Sequence, residues 1–182
     1  MIRPIVLYGS PILRQKALKI EADDPDLNQL IKDLWETMYN ADGVGLAAPQ
    51  IGVSKQVFVV DARELQPPEE PPFRAVFINP RILDRAPVYT LQEEGCLSIP
   101  GIRERISRSS DIEVEYLDED FSLHRQRFRG IVARIIQHEY DHLIGRLFID
   151  YLSPIKRQLL RRRLRYIAAG EVEAHYPFAY AK

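Results

Sequence analysis

The apolar positions of this chain fall into a few clear periods. Between Asp26 and Tyr39 they recur at 27, 30, 31, 34, 35 and 38, the spacing of an amphipathic helix. Asn40-Ala41-Asp42-Gly43 then supplies a stop signal. Gln56 to Asp61 is nearly all apolar and predicts a buried strand, and Phe73–Leu83 and Val88–Leu91 read as two more. From Asp111 to Leu117, Ile112, Val114 and Tyr116 alternate with Asp111, Glu113 and Glu115, the pattern of a half-buried strand. Asp118-Glu119-Asp120 turns the chain into a further strand near Phe121–Phe128. Helical spacing returns over about 131–144, opened by Gly130 and closed by Gly145. Ser153 as N-cap and Pro154 at the first helical position start a last helix that ends near Ala169, before Gly170. The four prolines of Pro67-Pro68-Glu69-Glu70-Pro71-Pro72 forbid both ladder and helix, so this segment is an exposed loop. Strands in the middle with helices toward both ends predict an α+β fold rather than alternating βαβ units.

The helix over 131–144 carries chemistry as well as periodicity. It contains His138-Glu139-Tyr140-Asp141-His142, an H-E-x-x-H pattern. Residues four apart share a helix face, roughly 5–6 Å apart at Cβ. Two imidazoles so placed can grip one divalent ion, and the glutamate beside the first can act on metal-bound water. The same residues also arise by chance on a solvated helix, so the pattern needs support. A catalytic site requires a third protein ligand and an open position. Cys96, His124, His175 and many carboxylates are candidates. A lone cysteine is usually a small buried hydrophobe. Cys96, however, has polar neighbours and follows Gly95, which lets another backbone come close. Ile131 and Ile135 continue the stripe of His138 and His142 toward the helix N-terminus. They either fill the core or hold an apolar side chain beside the reacting centre.

Composition narrows the class. The chain is 46% hydrophobic and 28% charged, ordinary for a soluble globular protein. Its 182 residues default to a single domain, 1–182, with a real core. The opening MIRPIVLYGS has no long apolar run, and no stretch approaches the ~18 apolar residues of a membrane span. One cysteine excludes an internal disulfide, which suits a reducing cytoplasm and no membrane. The net charge of −1 hides an asymmetry: residues 1–150 carry 18 Lys/Arg and 24 Asp/Glu, and residues 151–182 carry 7 and 2. An acidic body with a basic end points either to an anionic partner or to a solvated helix face.

Three segments together resemble peptide deformylase. They are Gly43-Val44-Gly45-Leu46-Ala47-Ala48-Pro49-Gln50, then Glu94-Gly95-Cys96-Leu97-Ser98, then Gln137-His138-Glu139-Tyr140-Asp141-His142. Leu143-Ile144-Gly145-Arg146-Leu147-Phe148 continues the likeness, which runs from about Pro4 to Leu164. The resemblance implies antiparallel or mixed sheets around a central metal-bearing helix, with a C-terminal helix. It implies Cys96, His138 and His142 as ligands of one divalent metal, with Fe2+ expected and Zn2+, Ni2+ or Co2+ able to substitute. Metal-bound water would attack the formyl carbon of an N-formyl-methionyl nascent peptide, with Glu139 as general base and then acid. Gln50 and the Leu97 N–H would hold the oxyanion. Gly43, Val44, Gly45, Gly95, Arg103, Ile131 and Ile135 would meet the substrate. This chain departs from the family at Arg134, where an aliphatic residue is usual. Either the methionine pocket differs in shape or the arginine bends to its mouth.

Two other readings use the same residues. A metallopeptidase would take its third ligand downstream, from His175, Glu171 or Glu173. A structural metal site would need a fourth ligand, His124 or His175. The helix at about 153–169 carries Lys156, Arg157, Arg161, Arg162, Arg163 and Arg165 and no acid. With Leu160, Leu164, Ile167 and Ala168 docked on the body, its arginines would face outward toward ribosomal RNA phosphates.

Overall fold

The computed structural model describes residues 1–181. In chain order the elements are β1 (Ile5–Val6), α1 (Leu27–Asn40), β2 (Gly45–Ala47), β3 (Val57–Asp61), β4 (Arg74–Arg85), β5 (Tyr89–Cys96) and β6 (Ile99–Ser109). There follow β7 (Asp111–Leu117), β8 (Leu123–Arg129), α2 (Gly130–Leu143), α3 (Pro154–Ala168) and β9 (Phe178–Ala179). The main sheet has five strands in the order β2-β3-β4-β7-β8, all antiparallel. β5 and β6 form a separate antiparallel hairpin, and β1 pairs with β9 in parallel. The architecture is α+β with mixed sheets.

The apolar run of β3 is explained by burial on both faces. Phe58 and Val60 point to one side, where Ile112, Val114, Val132, Ile135 and Ile136 bring in β7 and α2. Val57 and Val59 point to the other, against Leu30, Ile31, Leu34 and Met38 of α1. α2 is therefore central, with the main sheet on one side and the β5–β6 hairpin on the other. A third cluster joins Ile99, Ile102 and Ile106 of β6 to Leu160, Leu164 and Ile167 of α3. Ser153 caps α3 by accepting from the Lys156 N–H at 3.3 Å, with Pro154 at its first turn.

The structure differs from the sequence pattern in three respects. The strand expected over Val88–Leu91 extends to Cys96, so the thiol sits on a strand end. The sequence pattern does not predict β6, because its residues 103–108 are mostly polar or charged and its buried apolar residues, Ile99, Ile102 and Ile106, do not alternate. Not every arginine of α3 projects freely: the Arg163 guanidinium donates to the Gly101 carbonyl, and Lys156 pairs with Glu104 at 3.2 Å. No helix among the described residues is long and apolar enough to cross a membrane.

Candidate metal centre and substrate cleft

α2 presents His138 and His142 one turn apart, their ring centroids separated by 5.2 Å. The end of β5 brings Cys96 against them, so that Cys96 Sγ lies 3.4 Å from His142 Nε2. One ligand atom from each of the three lies within 4.8 Å of the others. Two donors bound about 2.0–2.3 Å from one tetrahedral ion are themselves about 3.5 Å apart. The Cys96–His142 separation matches such an edge, and the soft thiolate with two imidazoles is a donor set for a transition metal. These residues fit a divalent ion. The other imidazoles are not in the cluster: His124, on β8, bonds Asp118 at 2.6 Å, and His175, on the cleft wall, faces Asp42 at 3.2 Å.

His138 is oriented by a buried charge network. Its Nδ1 meets Glu94 Oε2 at 3.1 Å, which leaves Nε2 for a metal. Glu94 is gripped by Arg108 through Nε at 2.6 Å and Nη2 at 3.0 Å. Arg108 also donates to Asp141 at 2.8 Å, and Tyr151 Oη donates to the same carboxylate oxygen at 2.8 Å. Arg134 completes the network, bonding Glu94 at 2.7 Å, the Ile106 carbonyl at 2.9 Å and the Thr90 carbonyl at 2.7 Å. Two arginines thus balance two carboxylates out of water. Burial opposes the charge on Glu94, but His138 and Arg108 outweigh it and hold its carboxyl at about 2. Arg134 lines the cleft but is itself buried. It stands one turn before His138 and reaches sideways to β5 and β6.

Glu139 lies beside the ligands and is 5% exposed. Burial raises its carboxyl to about 7. Its Oε2 has no hydrogen-bond partner among the described residues. Gly45 makes room for it, because a Cβ there would stand 2.5 Å from Glu139 Oε1. Gln50 is held by the Ala47 N–H, which donates to its Oε1 at 3.0 Å. That bond fixes the amide orientation and aims Nε2 at Cys96 Sγ, 3.6 Å away, and at Ser98 Oγ, 3.3 Å away.

A cleft of about 580 Å³ opens over these groups. Gly43, Val44, Gly45 and Gln50 line one side, Gly95, Cys96, Leu97 and Arg103 another, and Ile131, Ile135, His138 and Glu139 the floor. His142 is 1% exposed and lies behind them. Gly95 pairs with Arg103 across the hairpin, and a Cβ on Gly95 would fall 2.9 Å from Arg103 Nη1. Arg103 itself is exposed and paired with Glu93 at 2.6 Å. Sequence reasoning missed one wall. Glu173, Ala174, His175 and Tyr176 come from the segment after α3 and line the same cleft. No periodicity or motif marks them; only the aromatic Tyr176 in a polar stretch hints at burial.

A thiolate and two imidazoles around one point, with a buried carboxylate beside them and a cleft above, define a metal-dependent hydrolase centre. The polypeptide deformylase model matches residues 2–158, and the chain belongs to that family. It is 44% identical to a peptide deformylase of Christiangramia forsetii, covering 97% of this chain and 94% of that one. It is 45% identical to a peptide deformylase of Salinibacter ruber over the same shares. The crystal structure of a peptide deformylase from Legionella pneumophila superposes with a TM-score of 0.82 at 38% identity, covering 94% and 98% of the two chains. The protein is thus a metal-dependent hydrolase that removes the N-formyl group from nascent peptides.

Proposed function

We propose that Cys96, His138 and His142 hold one Fe2+ ion and that the whole chain works as a single catalytic unit in the cytoplasm. The convergence of these three donors from β5 and α2 carries the reading. When bound, the ion supplies Lewis acidity toward the formyl carbonyl and acidifies water. The protein does the rest. Glu139, buried and poised near neutrality, takes the proton of the attacking water and delivers it to the departing amine nitrogen. The Gln50 amide, pinned by Ala47, donates to the developing oxyanion without adding a charge that competes with the metal. The Leu97 N–H is the second donor. Gly43, Val44, Gly45 and Gly95 let the peptide backbone lie close, and Arg103 swings from Glu93 to meet it. Ile131 and Ile135 receive the methionine side chain beside the reacting carbon.

This arrangement expects a formyl and not an acetyl group, because an added methyl would press on the wall between Gly45 and Leu97. With metal-loaded protein, formyl-Met-Ala-Ser should release formate with its peptide bonds intact. Replacing Met by Gly should lower kcat/KM by about 1–3 kcal/mol in transition-state binding. Equal rates on acetyl-Met-Ala-Ser, or cleavage between Met and Ala, would contradict the proposal.

The exposed arginines of α3 support a second contact, with ribosomal RNA. Arg157, Arg161, Arg162 and Arg165 are exposed, and Ile155 and Leu159 lie uncovered among them. Neutralised phosphates release counterions, so binding of this kind falls steeply with salt. Reversing Arg157, Arg161 and Arg162 to Glu should abolish co-sedimentation with ribosomes at low salt and leave turnover of the short peptide intact. Co-sedimentation that survives the reversal and ignores salt would remove the helix from this role.

A further inference from the structure

The register of the β5–β6 hairpin breaks between Gly95 and Cys96, and Cys96 then pairs with Ile99. Only Leu97 and Ser98 make the connection. This two-residue turn follows directly on Cys96, and Leu97 lines the cleft beside it. Both of its carbonyls are tied to distant parts of the chain. The Ser98 carbonyl accepts from the Tyr8 N–H at 2.8 Å. The Leu97 carbonyl accepts from Tyr176 Oη at 2.8 Å.

Those two partners come from opposite ends of the protein, whose segments pair with each other. β1 and β9 pair in parallel, with Ile5 N–H donating to the Pro177 carbonyl at 2.9 Å and Leu7 N–H to the Ala179 carbonyl at 2.8 Å. The Tyr176 ring is buried with Ile5 and Ala41, and Leu97 packs against that cluster. Burial also raises its phenol to about 12, so the hydroxyl stays protonated and remains a donor. The Leu97 side chain is confined from the far side, since a Cβ on Gly43 would stand 3.0 Å from it. Tyr176 lies outside the residues matched by the family model, which end at 158.

We propose that Tyr176 is a positioning residue for deformylation: through the Leu97 carbonyl it fixes the rotation of the turn and so aims the Leu97 N–H at the oxyanion. The inference rests on the reading that this N–H stabilises the oxyanion. A donor misplaced by about 1 Å is enough to cost up to 10²-fold in rate. The bond acts on the transition state, so its loss falls on kcat and spares KM.

The test is Tyr176→Phe in the full-length, metal-loaded protein, with Tyr180→Phe as a control for removing a tail hydroxyl. The ring remains, so the cluster around Ile5 stays packed. kcat on formyl-Met-Ala-Ser should fall about fivefold to fiftyfold, with KM within about twofold and metal stoichiometry unchanged, while Tyr180→Phe matches the wild type. In the metal-free chain the Leu97 carbonyl 13C resonance should shift and its amide should exchange faster. A kcat within twofold of wild type overturns the proposal. So does a loss of activity that tracks loss of metal, or one shared equally by kcat and KM. If the metal-loaded wild type itself leaves the formyl group in place, the reading of the site fails, and that result appears before any variant is compared.

Discussion

Glu139→Gln should lower kcat/KM at least 100-fold with the metal still bound. The substitution preserves shape and hydrogen-bonding size but removes the group that accepts a proton. A positioned acid–base residue contributes about 10²–10⁴-fold. Several observations place Glu139 in that role. It adjoins the metal ligands in sequence and in space, it is buried, and one oxygen has no protein partner. A carboxyl held near 7 is balanced between taking and giving a proton, whereas an exposed glutamate would be too weak a base to do both well. Metal content by atomic absorption and turnover of formyl-Met-Ala-Ser are the two measurements. A metal-replete Gln variant turning over at near the wild-type rate would remove Glu139 from the proton path.

The second large effect is on stability. Glu94→Ala should cost about 3–5 kcal/mol, because it leaves Arg108 and Arg134 buried without their shared carboxylate. Arg108 keeps Asp141, but Arg134 has no other carboxylate within ion-pair distance among the described residues. The same change frees His138 Nδ1, so metal affinity should drop about 10–100-fold. Urea denaturation of the metal-free chain isolates the first effect, and titration with Zn2+ or Co2+ measures the second. Glu94→Gln keeps some hydrogen bonds and should fall between wild type and Ala. A loss below about 1 kcal/mol for Ala would mean that water enters and satisfies the arginines.

The two predictions draw on different kinds of information. Glu139 is legible from the chain alone, because H-E-x-x-H on a helix forces its residues onto adjacent faces. The network that joins Glu94 to Arg108, His138 and Arg134, and Arg108 to Asp141, is not. His138, Arg134 and Asp141 lie 33–44 positions from the partners they bond, and only packing brings them together. Arg134 shows the limit most clearly. By sequence it breaks the apolar pattern expected at the pocket, and by structure it completes a buried charge balance one turn below the metal.

What the sequence determined by itself is local and periodic. It set the helices α1, α2 and α3, since a 3.6-residue stripe with caps has few other solutions. It set β7 by alternation and β8 by the turn at Asp118-Glu119-Asp120, and it placed His138 and His142 on one face, with Glu139 beside them, because helix geometry is rigid. Cys96 as a candidate metal ligand was legible through its motif, although its seat at a strand end was not. Tertiary structure alone decided the rest. β6 leaves no clear pattern, because its outward residues are mostly charged and its inward apolar ones do not alternate. The charge network is non-local, and so is the fourth wall of the cleft, which arrives when the segment after Gly170 turns back and joins β1. A hydroxyl on Tyr176 and a carbonyl on Leu97 are 79 residues apart in the chain, and no pattern along it records that they meet. Their meeting follows from β1–β9 pairing and from burial of one aromatic ring, which are properties of the folded molecule.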